Sequence, residues 1–130
     1  DQDMADTKDS AMEVLRAFGK AFNKGDVDAI LACVTDDFEW RLAKGPEAPD
    51  GQIVRGKDAV RRALEERDRE IAEMRFSETE VTVAGDKVFG SFRATGKTRD
   101  GRKIDQRGLD IYRIEDGKIA LKDSYWKQVE

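Results

Sequence analysis

The sequence predicts an α+β domain: helices in the first half, then a curved, mostly antiparallel sheet that wraps around three N-terminal helices as a cone open at one end. Three observations carry this. As far as Glu73, apolar residues recur at the i, i+3, i+4, i+7 spacing of a buried helix face, interrupted only by one short alternating stretch. From Arg75 onward the apolar period falls to two, the spacing of strands. Short turn signals, Ala84-Gly85-Asp86, Asp100-Gly101 and Glu115-Asp116-Gly117, separate the alternating runs, so neighbours pair as antiparallel hairpins. Gly90, Gly96 and Gly108 fall within these strands and relax them enough to bend.

In chain order, residues 1–6 are polar and expected to fray, with Met4 a candidate native start; residues 7–130 form one domain. Thr7 or Asp6 caps a helix to about Lys24, whose apolar stripe is Ala11, Val14, Leu15, Phe18, Ala21 and Phe22. Gly25 stops it, and Asp26 caps a short second helix with Val27, Ile30, Leu31 and Val34 as its apolar positions. Phe38–Leu42 alternates as a short strand that turns Phe38, Trp40 and Leu42 one way. Residues 43–51 hold both prolines and read as a loop, either a lid or a plain connection. A third helix runs from about Lys57 to Glu73 on Val60, Ala63, Leu64 and Ile71, with Arg67 on the same stripe, either snorkelling at its margin or serving a function.

The first strand of the alternating half places Thr79, Val81 and Val83 on one face. The next places Val88, Gly90, Phe92, Ala94 and Gly96 together. The last strand, Lys118 to about Val129, has a parity conflict. Ile119, Leu121, Asp123 and Tyr125 share one face and Ala120, Lys122, Ser124 and Trp126 the other, so either a bulge or a second buried surface is required.

Composition excludes several functions. The net charge of −4, with no basic run, argues against nucleic acid and anionic membranes as partners. No apolar run reaches the ~20 residues that cross a bilayer, and no signal-type apolar segment is seen, so a cytoplasmic location is expected. With one cysteine, Cys33, there is no internal disulfide, and it reads as an inert core thiol. With no histidine, neither a His-based nucleophile system nor a His-rich zinc site can form. The acids form no spaced calcium loop, so no metal or cofactor is expected. Gly90…Gly96-Lys97-Thr98 has five residues between its glycines where a phosphate-binding loop has four, and lies on a strand.

The strand Gly108-Leu-Asp-Ile-Tyr-Arg113 carries the chemistry. Asp110 shares a face with Gly108, Tyr112 and Ile114, where an apolar residue is expected, so it is either solvated, paired for structure, or buried for function. The inward sets converge on one chamber: Phe18, Phe22, Trp40, Leu42, Phe92, Asp110, Tyr112 and Trp126. They either fill a core or line an apolar cavity with a polar handle, the usual form of a small-molecule site.

Phe18-Gly-Lys-Ala-Phe22-Asn-Lys-Gly25-Asp26 resembles the helix-to-helix opening of the NTF2-like (cystatin-like) superfamily, in its SnoaL-like and ketosteroid-isomerase-like branch. Val34-Thr-Asp-Asp-Phe-Glu-Trp40, Arg55-Gly56-Lys57-Asp58, Gly108–Ile119 and Ser124-Tyr125-Trp126 are similar to further segments of that branch, so the likeness spans roughly Met12 to Val129. It implies the cone-shaped fold. It also implies that the isomerase's oxyanion-hole Asp falls on Asp110, whose neutral, hydrogen-bond-donating form is a known pattern for that enzyme. The pocket Trp falls on Trp126. The helix Tyr of that enzyme falls on Phe18 and its general base near Leu42, so neither function is retained. A limonene-epoxide-hydrolase site is likewise incomplete, its Arg and acids falling near Phe92, Ala94 and Ser124. The resemblance to SnoaL-type cyclases implies an acid–base Asp deep in the cone, which Asp110 supplies.

Two functions follow. One is a cofactor-free isomerase, cyclase or lyase acting on a small apolar carbonyl compound, with Asp110 as acid or base. The other is a non-catalytic ligand-binding or dimerisation module. A raised Asp110 pKa favours the first, and an Asp110 paired to Arg107 or a lysine the second. A homodimer is expected through the outer sheet face at Leu109, Ile111 and Leu121.

Overall fold

The computed structural model describes the backbone of residues 2–130 and the side chains of residues 8–130. Helix α1 (Gln2–Lys24) and the short α2 (Val27–Ala32) precede strands β1 (Val34–Glu47) and β2 (Gly51–Arg55). Helix α3 (Lys57–Glu70) then leads into β3 (Ile71–Ala84), β4 (Lys87–Thr98), β5 (Lys103–Glu115) and β6 (Lys118–Trp126). One six-stranded sheet has the order β2-β1-β6-β5-β4-β3, antiparallel except where β1 runs parallel to β6.

The helices form where their stripes require. In α1, Ala11, Val14, Leu15, Phe18 and Ala21 are buried; in α3, Val60 and Leu64 are. Gly25 takes φ 66, the left-handed conformation that ends α1 at little cost. Asp26 caps α2 by accepting a hydrogen bond from the Ala29 N–H at 3.1 Å. The α1 backbone is already helical at Gln2, ahead of the expected start at Thr7, and Gln2–Asp6 contains no Gly or Pro to prevent this. Of the residues 1–6 expected to fray, Asp1 lies outside the described residues, as do the side chains of the other five.

The sheet differs from expectation in three places. Residues 43–51 are not a loop: β1 continues to Glu47, turns through Ala48-Pro49-Asp50, and pairs antiparallel with β2, which the sequence reading lacked. Ile53 N–H donates to Glu47 Oε2 at 3.0 Å, closing this arm across its irregular end. Helix α3 stops at Glu70, and β3 starts at once with Ile71. The parity conflict in the last strand is settled by a bulge. Arg113 pairs with Leu121 and Ile114 with Ile119, leaving Ala120 as the extra residue. Ile119, Ala120 and Lys122 are therefore all buried. A similar step in β3, where Glu78 and Thr79 together oppose Phe92 and Glu78 adopts φ 52, turns Phe76 inward before it and Val81 and Val83 inward after it.

Candidate functional site

Register builds the site. Across the concave face, Val54, Trp40, Lys122, Tyr112, Val88 and Val83 are successive cross-strand partners, one residue from each of six strands. The next row contains Ser124, Asp110, Gly90 and Val81. Beyond it, Trp126 faces Gly108 and Gly108 faces Phe92. Asp110 is thus diagonal to both Lys122 and Trp126 and two residues from Tyr112, all within side-chain reach.

These neighbours hold the carboxylate. Asp110 is 3% exposed. Tyr112 donates its hydroxyl to Oδ2 at 3.1 Å, and Trp126 donates its indole N–H to Oδ1 at 3.2 Å. The Lys122 ammonium lies 3.9 Å from Oδ2. Burial pulls the Lys122 pKa down, against the pull of Asp110, while burial and then the Asp110 charge push the Tyr112 phenol well above its ordinary value. Lys122 Nζ also lies 4.8 Å from the Phe22 ring centroid and 4.9 Å from that of Trp40, so two aromatic faces cradle the ammonium.

An aromatic layer fixes the walls. Phe76 meets Phe22, Phe92 and Trp126 edge-to-face at centroid distances of 6.1, 5.4 and 5.9 Å. Asn23, at the end of α1, pins Phe76 by accepting from its backbone N–H at 2.8 Å and donating to its carbonyl at 3.3 Å. Gly108 lets Phe92 and Trp126 stack over the strand. A Cβ there would sit 2.5 Å from Phe92 Cζ and 2.8 Å from Trp126 Cδ1, so close approach explains this glycine better than strand bending.

The predicted residues do not share one chamber. Phe18, Phe22, Phe92, Asp110 and Tyr112 border a small space of about 80 Å³, with Lys122 on its wall. Trp40, Leu42 and Trp126 instead border a cavity of about 620 Å³ between the β1–β2 arm, α3 and the open ends of β5 and β6. The two spaces meet across the Trp126 indole, which lines the larger and bonds the acid of the smaller. Ala43, Lys44 and Gly45 belong to the larger cavity's wall as part of a hydrogen-bonded arm.

Four residues escaped the sequence reading. Lys122 and Ser124 share the parity of Trp126, which was the available signal. Phe76 was hidden by the β3 bulge. Arg67, read as snorkelling, instead holds its guanidinium 5.6 Å from the ring centroids of both Phe22 and Phe76. Two polar atoms are buried without a hydrogen-bond partner, Trp40 Nε1 and Ser124 Oγ, and both residues line the larger cavity. Asp110 has no contact with Arg107, which instead pairs with Glu78. Burial raises the Cys33 thiol pKa. Among the described residues, no group of three acids or thiols could hold a metal, and no helix is long and apolar enough to cross a membrane.

A curved sheet with three helices on its concave side defines an α+β protein of the NTF2-like, cystatin-like class. The chain belongs to the SnoaL-like domain family, whose model matches residues 15–122. Among curated proteins none matches the sequence. Solved structures confirm the fold. A candidate polyketide cyclase from Xanthomonas campestris pv. campestris is similar at TM-score 0.81 and 22% identity, over 92% of this chain and 91% of that one. A candidate isomerase from Bacillus subtilis is similar at TM-score 0.80 and 20% identity, over 92% and 87%. TerC, crystallised with polyporic acid, is similar at TM-score 0.78 and 20% identity, over 91% and 92%.

Proposed function

We propose that this chain binds a small, largely apolar organic molecule with an oxygen acceptor, seated in the 620 Å³ cavity. The observation that carries this is the pair of unpartnered buried groups on its wall, Trp40 Nε1 and Ser124 Oγ. Each such group left unsatisfied costs about 1–3 kcal/mol, and a ligand oxygen would recover this once the side chain turns its polar atom to the cavity. A mainly apolar wall with a few aimed polar atoms is the common form of a small-molecule site. The names of the structural neighbours, polyketide cyclase and isomerase, and the polyporic acid with which TerC was crystallised, agree with a ligand of this kind. Quenching of the two tryptophans by a panel of steroids, polyketides and terpenoids tests it. Saturable quenching by one class is expected; none by any class would contradict it.

A second reading is catalytic: Asp110 is a buried acid bordering an 80 Å³ space, although its pairing with Lys122 is the arrangement expected of the non-catalytic module. A cofactor-free isomerase, cyclase or lyase would have Asp110 accept a proton from the carbon beside a carbonyl and return it elsewhere on the same molecule. The Lys122 ammonium would stabilise the charge that develops on the carbonyl oxygen. The carbonyl compound would have to reach Asp110 through the space that Tyr112 borders, since Trp40 and Trp126 line the other cavity. Asp110→Asn should then abolish turnover in a variant whose circular dichroism is unchanged, and undiminished activity would remove Asp110 from the chemistry.

Self-association through the outer sheet face belongs to the same proposal. Leu109, Ile111 and Leu121 are only half-buried there, and Tyr125 is 56% exposed. A dimer mass in sedimentation is expected, and a monomer at micromolar concentration would count against it.

A further inference from the structure

We infer that the occupant of the 620 Å³ cavity is an organic anion whose acidic oxygens are held by the Arg67 guanidinium. This rests on the small-molecule reading above and adds the charge of the ligand to it.

Arg67 stands on the buried stripe of α3, seven residues after Val60 and three after Leu64, so the helix aims it inward. Its guanidinium lies over the Phe22 and Phe76 rings at 5.6 Å from each, and the residue is half-buried. It borders the 620 Å³ cavity on one side and a second cavity of about 350 Å³ on the other. Among the described residues, eleven close contacts join a cation to a carboxylate, and Arg67 takes part in none of them. Nor does it donate a hydrogen bond to any described group, although it carries five N–H donors.

Charge counting on the concave side points the same way. Asp110 supplies one negative charge, and Lys122 lies against it. Arg67 is half-buried and has no direct ion-pair partner; burial lowers its pKa, against the pull of the Asp68 and Asp110 charges. A guanidinium in that state gains most from a charged acceptor that meets it bidentately. The other unpartnered groups on the cavity wall, Trp40 Nε1 and Ser124 Oγ, also have a proton to give. A negatively charged acceptor in the cavity would give the guanidinium the partner it lacks. The rest of the wall includes Leu42, Val54, Met74 and Ile104 beside Lys44, Gln52, Gln106 and Gln128, so the remainder of the ligand is largely apolar with room for a few polar contacts. Glu66 and Glu70 are exposed on the same helix at the rim, which favours a single acidic group placed deep over a second one outside.

Calorimetric titration with 2-naphthoate and 2-acetylnaphthalene tests this, because the two share a ring system and differ in charge. The wild-type protein should bind the carboxylate roughly tenfold more tightly than the ketone. Arg67→Met should erase that preference while still binding the ketone, and Arg67→Lys should keep part of it. Equal binding of the two probes by the wild-type protein overturns the anion inference and leaves the small-molecule reading standing. A preference that survives in Arg67→Met overturns the assignment to Arg67. Binding of neither probe at millimolar concentration overturns both.

Discussion

Trp126 donates its indole N–H to Oδ1 of Asp110 over 3.2 Å, although the two residues lie on adjacent strands and are not direct partners in the ladder. The diagonal is open because Gly108, the true partner of Trp126, has no side chain to block it. Through this bond the wall of the large cavity is tied to the buried acid. Trp126→Phe keeps the ring and removes the donor. A hydrogen bond to a charged group is worth about 1.5–3 kcal/mol, so urea unfolding should show a loss of that order. An unchanged midpoint would mean that the bond contributes nothing.

Gly108→Ala should be worse than its size suggests. The added methyl would overlap both Phe92 and Trp126, neither of which can withdraw without disturbing Phe76. Overpacking of this kind costs about 1–3 kcal/mol. The emission of Trp126 should shift as its ring is displaced. Wild-type stability together with an unshifted spectrum would contradict the close approach.

Asp110 and Lys122 should be energetically coupled. Lys122→Met leaves the carboxylate with its two neutral donors alone, and Asp110→Asn leaves a buried ammonium unpaired. Breaking a buried pair from either side costs about 3 kcal/mol or more. The double variant should be less damaged than the sum, by about 1–3 kcal/mol. Additive losses in a double-mutant cycle would mean that the 3.9 Å approach carries no coupling.

Tyr112 should shape the alkaline limb of stability. Its folded pKa is raised above the ordinary value of 10.0, so the unfolded chain gives up this proton first. Above pH 10 the folded state holds more protons, and stability falls as pH rises; below pH 10 the contribution is fully present. Lys122 acts oppositely, since its lowered pKa lets stability grow as pH rises toward 10.5. Beyond pH 10.5 the Tyr112 effect outlasts that of Lys122, and Tyr112→Phe, which keeps the smaller contribution of Tyr125, should decline less steeply there than the wild-type protein. Parallel slopes would show that the phenol is not perturbed.

The helices could be read from sequence because stripes and caps are local, although α1 starts at Gln2 rather than Thr7 and α3 stops at Glu70 rather than Glu73. So could the three hairpin turns and the placing of Asp110 beside Tyr112, which follows from alternation along one strand. The β1–β2 arm was hidden because Pro46 and Pro49 outweighed a strand pattern in the segment that joins them to Arg55. Lys122 and Phe76 depended on bulges at Ala120 and at Glu78–Thr79. A bulge moves every later side chain to the other face, and its position depends on the partner strand rather than on local residues. Arg67 was misread because helical phase fixes where a long side chain starts and leaves open whether its end turns outward or inward over two rings. The division of the aromatic set into two spaces was likewise out of reach, since it depends on Phe76 standing against Trp126.

The central claim is that the space beside Trp40 and Ser124 is made for a ligand. The protein has two tryptophans, so its indole N–H groups give two assignable proton resonances. One, Trp126, already has its acceptor in Asp110; the other, Trp40, has none. Titration with a bound member of the panel, followed by nitrogen–proton correlation spectra, should move the Trp40 indole resonance downfield as it gains an acceptor, with a smaller change at Trp126. Saturable binding that leaves the Trp40 indole signal in place would contradict the account.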